Sequence, residues 1–552
     1  MSYNVGDLVA EFLSAIGVTT VFGIVSVHNI PMLDGIGRRN TIRFVMGRGE
    51  LGASHMADGY ARATGGLGVL FSSTGPGAAN AVAGLVEAGF AATPVLHITG
   101  QTGSKFIGRG MGTAHEVPDQ LGMLTAVSKA AFHIHSAQAA LGILTHAAVT
   151  ALTAPRGPVS VEIPIDIQRT AIERPPGLDS LQLLLPAPLA PSEAALDALA
   201  EHVRKSSRPI LWMGAGAREA GPAAKKLLDL GFGMVTSWAG RGSVPEDHPR
   251  TLGGLNGNGV HAVQEFYRGA DLMLVAGSRL RGHETAEFHV KLPENLVHID
   301  IDPAAEGRTY PCRMFVNGDA TLVLEGLAKR LSGWSPAPGY GDEFAAMKQR
   351  ARADFAATLG PYEGFPAQLR AALPKDVVWS RDITINNSTW GNRLFELYGP
   401  RDSVYPIGAG IGVGLGLGIG AAIGAAERKP GRRTVSMTGD GGFFLTLTEL
   451  WTVVQDKVDI TIVVMNDRGY GVIKHIQDSL YGGRNFYADL MGPDLQQLAA
   501  LAGIPYFRVI SADAFGSTVA QAASASGPSL VEVDMTAIGT FPPYAPYDRK
   551  RS

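Results

Sequence analysis

Short apolar runs alternate with longer amphipathic stretches along the whole chain. In the first third the runs are TVFGIV at 20–25, GVLFSST at 68–74, PVLHITG at 94–100 and PVSVEIP at 158–164. The middle third contributes PILWMGAGA, DLMLVAGSRL and NLVHIDIDP, and the last third DVVWSRD, RRTVSMTGDGG, DITIVVMNDRG and PSLVEVDM. Apolar runs of this kind predict strands buried on both faces, and the helix-length spacers between them predict parallel β-α-β layering. Two Pro-rich breaks, at 173–192 and 332–343, interrupt the alternation. The pattern therefore predicts an α/β protein of three doubly wound domains with mainly parallel sheets, over residues 1–180, 190–332 and 344–552. No short-period repeat is present, which excludes a solenoid.

One stretch departs from the pattern. Ile407–Ala426 carries no charge and is long enough to span a bilayer. Its eight glycines between Gly408 and Gly424, the GDGG motif close behind, and the lack of a second apolar span predict a buried glycine-rich turn and helix instead. No membrane association is expected. The N-terminus opens on an amphipathic pattern carrying Asp7 and Glu11, without the basic start and cleavage site of a signal peptide, so cytoplasmic residence is expected. With 47 basic and 50 acidic residues, a net charge of −3 gives no nucleic-acid footprint. Cys312 is the only cysteine, which excludes intramolecular disulfides and multi-cysteine metal sites. Glycine is abundant, 70 of 552 residues, and implies many close backbone approaches.

The sharpest chemical signal is Gly439-Asp440-Gly441-Gly442 after strand TVSMT, followed by a helical spacer, strand DITIVVM and Asn466-Asp467. A β-α-β crossover of this length returns the chain to a neighbouring parallel strand. Asp440 and Asn466 then meet at the carboxyl edge of the sheet, where α/β ligands bind. One carboxylate, one amide oxygen and a nearby carbonyl suit Mg²⁺ or Ca²⁺ holding a diphosphate, and the glycines let backbone N–H groups approach phosphate. The competing reading is a plain glycine turn beside a surface Asp. A second signal is Glu50, at the start of a helix in GRGELGASHMADGYARATGG after apolar FVM and Arg48. Partial burial would raise its pKa and let it share a proton with a cofactor ring nitrogen. A carboxylate in a first helical turn also serves the helix dipole, so Glu50 alone decides nothing.

RGELGASHMADGYARATG together with STGPGAAN and GDGG…MND resembles the thiamine diphosphate enzymes of the acetolactate synthase, benzoylformate decarboxylase, benzaldehyde lyase and pyruvate oxidase superfamily, over nearly the whole chain. The resemblance implies a pyrimidine-binding domain, a central domain and a diphosphate-binding domain, in that order. It implies thiamine diphosphate and Mg²⁺ as cofactors, and a homodimer or homotetramer with active sites between subunits. Glu50 falls where the family bonds the aminopyrimidine nitrogen. Asp440 and Asn466 match the metal ligands, with the carbonyl of Arg468 as the third. Leu415, within a register ambiguous by two residues, matches the apolar wedge that bends the cofactor. Thr384, Gly439, Gly441, Gly442 and Tyr470 fall on the diphosphate side, and Pro76 and Asn80 line the cofactor pocket.

Departures from the family bear on the reaction. Gly49 stands where members often carry His, and Val472 stands where pyruvate decarboxylases carry a proton-transferring glutamate, which disfavours a dedicated protonating decarboxylase. His28 aligns with a pocket histidine of benzaldehyde lyase, and His115 falls near the pocket glutamine of that enzyme and of acetolactate synthases. Each is a candidate proton relay or an ordinary loop or core histidine. His283 is a third candidate. Val27, Val472 and Leu415 are expected round the pocket. In the middle domain, Gly214 and Gly216 after a strand would suit a nucleotide, but GGLNGNGVH replaces the flavin-binding signature, so FAD is not expected. The short C-terminal TFPPYAPYDRKRS either closes over a site or packs on a neighbour. The resemblance implies cleavage or formation of the C–C bond next to a carbonyl, with 2-oxo acid or aldehyde substrates. Carboligation of the acetolactate synthase type comes first, then nonoxidative decarboxylation, then benzoin-type lyase activity. A flavin-linked oxidase and a noncatalytic scaffold are the readings from other classes, and the scaffold conflicts with the presence of Glu50, Asp440 and Asn466.

Overall fold

The apolar runs become strands in the computed structural model, which describes residues 2–543. The first sheet comprises β1 (Thr20–Gly23), β2 (Arg43–Met46), β3 (Gly68–Ser72), β4 (Val95–Gln101), β5 (Ala130–His133) and β6 (Val159–Pro164), in the spatial order β2-β1-β3-β4-β6-β5. The second comprises β7 (Pro209–Met213), β8 (Gly233–Thr236), β9 (Leu272–Ala276), β10 (Leu296–Asp300) and β11 (Met314–Asn317), in the order β11-β10-β9-β7-β8. The third comprises β12 (Val378–Arg381), β13 (Ser403–Val404), β14 (Thr434–Gly439), β15 (Ile460–Asn466), β16 (Tyr506–Val509) and β17 (Ser529–Asp534), in the order β13-β12-β14-β15-β17-β16. All pairings within these sheets are parallel. The first and third sheets share one winding, so each reverses strand order beside its first strand, between β1 and β3 and between β12 and β14. Ligands of doubly wound sheets bind at the carboxyl ends of strands flanking such a reversal.

Local chemistry sets the elements. Helix Val5–Ala15 starts on a capping box, with the Asn4 side chain accepting from Asp7 N at 3.0 Å and the Asp7 carboxylate accepting from Asn4 N at 3.0 Å. Central strand β4 is buried at every residue, as a strand covered on both faces must be. The edge strand β5 is only half-buried throughout and carried no apolar run to announce it. The glycine-rich segment does form a buried helix, Gly414–Arg428, and no helix among the described residues is long and apolar enough to cross a membrane.

That helix packs directly on helix Glu50–Thr64 of the first unit. Small residues make the approach possible: a Cβ on Gly420 would stand 1.8 Å from Met56 O, and one on Gly59 would stand 2.1 Å from Leu417 O. Met56, Ala57, Tyr60, Leu415, Ile419 and Ile423 share one core across this contact. Buried Arg62 reinforces it by donating to Asp58, Glu87 and Tyr405 O, while Glu87 accepts from Ile407 N at 2.6 Å and Gly408 N at 2.8 Å. Helix Tyr340–Ala357 begins inside the second Pro-rich break and packs on the middle unit, where the Tyr340 and Phe266 rings stack at 5.8 Å. Most of the C-terminal tail, 544–552, lies outside the described residues.

Candidate active site

At the carboxyl edge of the first sheet, the loop after β2 delivers Glu50 to the first position of its helix, with Gly49 as N-cap. Glu50 is 7% exposed, and its two carboxylate oxygens meet only long contacts, Ser73 N at 3.4 Å and Asn80 Nδ2 at 3.4 Å. A buried carboxylate held this loosely has capacity left for another donor. Gly77 leaves it room, since a Cβ there would stand 2.4 Å from Glu50 Oε1. Pro76 and Asn80, on the helix after β3, are exposed beside it. The loop itself is fixed by a residue the sequence did not single out. Buried Gln120 accepts from Gly75 N at 2.6 Å and Thr74 Oγ1 at 2.8 Å, and donates to Gly100 O and to Glu162.

The same edge brings His28 and His115 together, with their Nδ1 atoms 3.1 Å apart and their rings at 5.0 Å. Only one of the two nitrogens can carry the proton of that bond, so the pair is an acid–base couple. Burial, then the neighbouring His115 and Arg169, hold the His28 imidazole below its ordinary pKa. His115 adopts φ 66°, and its carbonyl sits where a Cβ on Gly75 would be 2.1 Å away. His283 lies elsewhere, in the middle unit, edge-on to Trp238 at 5.2 Å. Val27 is 58% exposed near His28, whereas Val472 leans on the core under the third sheet.

At the carboxyl edge of the third sheet, β14 ends at Gly439 and Asp440 opens the helix Asp440–Leu445, while β15 ends at Asn466. Asp440 is 1% exposed and accepts from Gly469 N at 3.0 Å. Its carboxyl also shares a hydrogen bond with Asp467; burial and their mutual proximity push the Asp467 carboxyl well above the carboxylate range. Asn466 donates to Glu532 Oε1 at 2.8 Å, which turns its amide oxygen to the Arg468 N–H at 3.2 Å. Arg468 takes φ 55° and so bends the chain back toward Asp440. Asp440, Asn466 and Arg468 line one cavity of about 420 Å³, with Tyr506 and Glu532 on its far wall.

The neighbours of this turn are close-packed. A Cβ on Gly441 would stand 2.6 Å from the Tyr470 ring and one on Gly442 2.5 Å from Asp382 Oδ2, while Thr384 lies in contact range of Gly439. Asp382 was missed in the sequence although it precedes Thr384 in the same segment. It is fully buried and accepts from Ile383 N at 2.7 Å and Gly412 N at 3.0 Å, tying β12 to the start of the glycine-rich segment. Burial pushes its carboxyl up to about 6 against the pull of those N–H groups. Leu415, 1% exposed, is packed in the core beside Ala53 and Met56.

A third missed residue joins the two edges. Glu449, nine-tenths hidden and more, follows Asp440 along the chain and accepts from Arg48 N at 3.0 and 3.1 Å and from Thr452 Oγ1 at 2.8 Å. It therefore props the turn that presents Glu50, and Gly52 makes way for it, since a Cβ there would stand 2.1 Å from Glu449 Oε1. The cavities themselves remain apart: the one at the first edge, bounded by His28, and the one at the third edge, bounded by Asp440, have no lining residue in common.

The donors at the third edge, a buried carboxylate, an amide oxygen and a backbone carbonyl, are all hard oxygens of the kind Mg²⁺ prefers. Burial raises the pKa of both Asp440 and Asp467, and the neighbouring Asp440 carboxyl raises that of Asp467 further. The donor set thus fits a divalent cation, which Asp440, the Asn466 amide oxygen and the Arg468 carbonyl would hold.

Comparison with known proteins finds a match for each of the three units. Residues 3–123 match the thiamine pyrophosphate enzyme N-terminal TPP-binding domain, 196–327 the central domain and 385–533 the C-terminal TPP-binding domain. A protein named probable 2-ketoarginine decarboxylase from Pseudomonas aeruginosa is 33% identical over 94% of this chain and 89% of its own length. A probable acetolactate synthase large subunit from Methanocaldococcus jannaschii is 28% identical over 98% of this chain and 94% of its own. The acetolactate synthase isozyme 2 large subunit of Escherichia coli is 28% identical over 98% and 97%.

Proposed function

The chain belongs to the thiamine pyrophosphate enzymes, and from that premise we propose that it breaks or makes the C–C bond next to the carbonyl of a 2-oxo acid, with Mg²⁺ holding the cofactor diphosphate. When bound, thiamine diphosphate supplies a carbon nucleophile and an electron sink. The chain's own residues do the rest. Asp440, the Asn466 amide oxygen and the Arg468 carbonyl would hold Mg²⁺. Thr384, Tyr470 and the glycines Gly439, Gly441 and Gly442 shape the diphosphate seat, and Leu415 or a neighbour in its glycine repeat buttresses the ring system. Glu50 would hold the proton that it exchanges at the pyrimidine ring, and Pro76 and Asn80 would border that ring.

The observation that carries the reading is the pairing of two edges with complementary equipment, a loosely held buried carboxylate at one and a hard-oxygen donor set at the other. The cavity at Asp440 is lined by no residue of the Glu50 edge, which favours active sites completed by a second copy of the chain. Exposed apolar side chains flank both edges, among them Val25, Met111, Phe486 and Met491, and suit burial in a dimer or tetramer.

In the reaction the C1–C2 bond of the 2-oxo acid breaks and CO₂ leaves. A second carbonyl carbon takes its place in carboligation, our first reading, which the acetolactate synthases among the relatives support. A proton takes its place in nonoxidative decarboxylation. The His28–His115 couple favours that second reading, because it can deliver a proton at the first edge. A panel of 2-oxo acids, with and without aldehyde acceptors, read by CO₂ release and product mass, tests both. Ligated products identify the carboligase and free aldehyde the decarboxylase; turnover of none of them refutes the proposal.

A further inference from the structure

A cavity of about 420 Å³ lies at the carboxyl edge of the first sheet, between the loop after β4 and the short helix after β6. Its wall runs from His28 past Lys105, Phe106 and Thr113 to Asp166 and Arg169. The volume suits a small organic molecule rather than water alone. His28 ties it to the His28–His115 couple, so whatever fills it lies next to the proposed proton relay.

The charges on this wall are unequal in availability. Asp166 is already engaged, its Oδ1 accepting from Ser104 N at 2.9 Å and Ser104 Oγ at 3.0 Å, and its pKa is held low. The nearby Glu116 carboxylate is turned back on its own loop, accepting from Thr113 N at 2.9 Å and Thr113 Oγ1 at 3.2 Å. Lys105 rests its ammonium over the Phe106 ring at 4.8 Å. Among the described residues neither Lys105 nor Arg169 has a carboxylate partner. Two uncommitted cations thus face a cavity whose acids are spent, an arrangement that favours an anion and repels a cation.

We propose that this cavity receives the tail of the substrate and that the tail carries a second anionic group, so that the preferred 2-oxo acid is a dianion with a distal carboxylate or an equivalent acid. Arg169 and Lys105 are its specificity-determining residues. The inference rests on the 2-oxo acid reading above and narrows it. A substrate with a cationic tail would meet two like charges, and an uncharged tail would leave both unpaired.

The test uses the cofactor-loaded enzyme with 2-oxoglutarate, 2-oxopentanoate and 5-guanidino-2-oxopentanoate, which share a five-carbon 2-oxo acid chain and differ in the charge of the tail. The expected order of kcat/KM is anionic, neutral, cationic. In Arg169→Gln the KM for 2-oxoglutarate should rise about 10- to 100-fold more than that for 2-oxopentanoate, the scale of one charge-assisted hydrogen bond. Its kcat should change little, and Arg169→Lys should recover part of the loss. A preference for the neutral or cationic substrate, or an equal effect of Arg169→Gln on all three, overturns the inference while leaving the 2-oxo acid reading intact. If no 2-oxo acid is turned over, that reading fails. Calorimetric binding of glutarate against butyrate then decides: binding of glutarate alone, lost in Arg169→Gln, supports the anion site, and no selective binding overturns it.

Discussion

Glu50→Gln separates a catalytic carboxyl from a structural one. In the structure each Glu50 oxygen meets a single donor at 3.4 Å, Ser73 N or Asn80 Nδ2. Hydrogen bonds of that length are weak, and losing one to the amide of Gln should cost at most about 1 kcal/mol of stability. For large domains that is a fall in Tm of about 2–4 °C. The effect on chemistry is of another order, because Gln keeps the size and polarity of Glu but cannot exchange the proton. General acid–base groups contribute about 10²- to 10⁴-fold, equivalent to about 3–5 kcal/mol of barrier. The assay is exchange of the cofactor C2 proton with deuterated solvent in the bound state, followed with turnover on the best 2-oxo acid. Both should slow by that factor while cofactor binding changes much less. Exchange and turnover within a few-fold of wild type would mean that Glu50 only serves its helix, and a Tm loss above about 10 °C would mark a structural carboxylate instead.

Three further outcomes are expected. Asp440→Ala should weaken Mg²⁺-dependent cofactor binding by about 100-fold or more, measured by titration, with the circular dichroism of the fold retained; affinity within about threefold of wild type would misplace the metal. Glu449→Ala strips the acceptor from Arg48 N, a cost of about 1–3 kcal/mol, and should slow C2 exchange although Glu50 is intact, with Glu449→Gln recovering part of the rate. Asp382 gives a pH signature. Its folded pKa of about 6 lies above its ordinary 3.8, so the native state holds this proton more tightly and stability from this group falls as pH rises between the two values. Relative to wild type, Asp382→Asn should gain about 2 kcal/mol from pH 4 to pH 7 in denaturant titrations, and a flat difference would contradict the burial argument.

The third-sheet turn was legible because its chemistry sits in contiguous motifs joined by one crossover. GDGG ends β14 and MND ends β15, and neighbouring parallel strands carry Asp440 and Asn466 into one cavity. The buried strands were legible for a similar reason, as unbroken apolar runs such as VLHITG in β4. What escaped were residues whose role depends on contacts distant in sequence. Glu449 reads as one acid in TEL, and only the packing of Gly420 on Met56 brings it beneath Arg48. Gln120 likewise has no local signal, since the hydroxyl and N–H it joins belong to the loop after β3 and the carbonyl to β4. The edge strands β5 and β16 lack the double burial that writes an apolar run, and β13 is buried but only two residues long, so only pairing reveals them.

The central claim is that one active site needs Glu50 from one chain and Asp440 from another, and mixing two inactive variants tests it most directly. Glu50→Gln and Asp440→Ala homodimers each spoil both sites. In a hybrid dimer one site receives both substitutions and the other neither. Equal mixing should then restore about a quarter of wild-type turnover, since about half the dimers are hybrids with one intact site each. If Glu50 and Asp440 of the same chain formed the site, every site in every hybrid would carry one lesion. Mixtures that stay as inactive as the separate variants, although hybrids are shown to form by native mass spectrometry, would contradict the account.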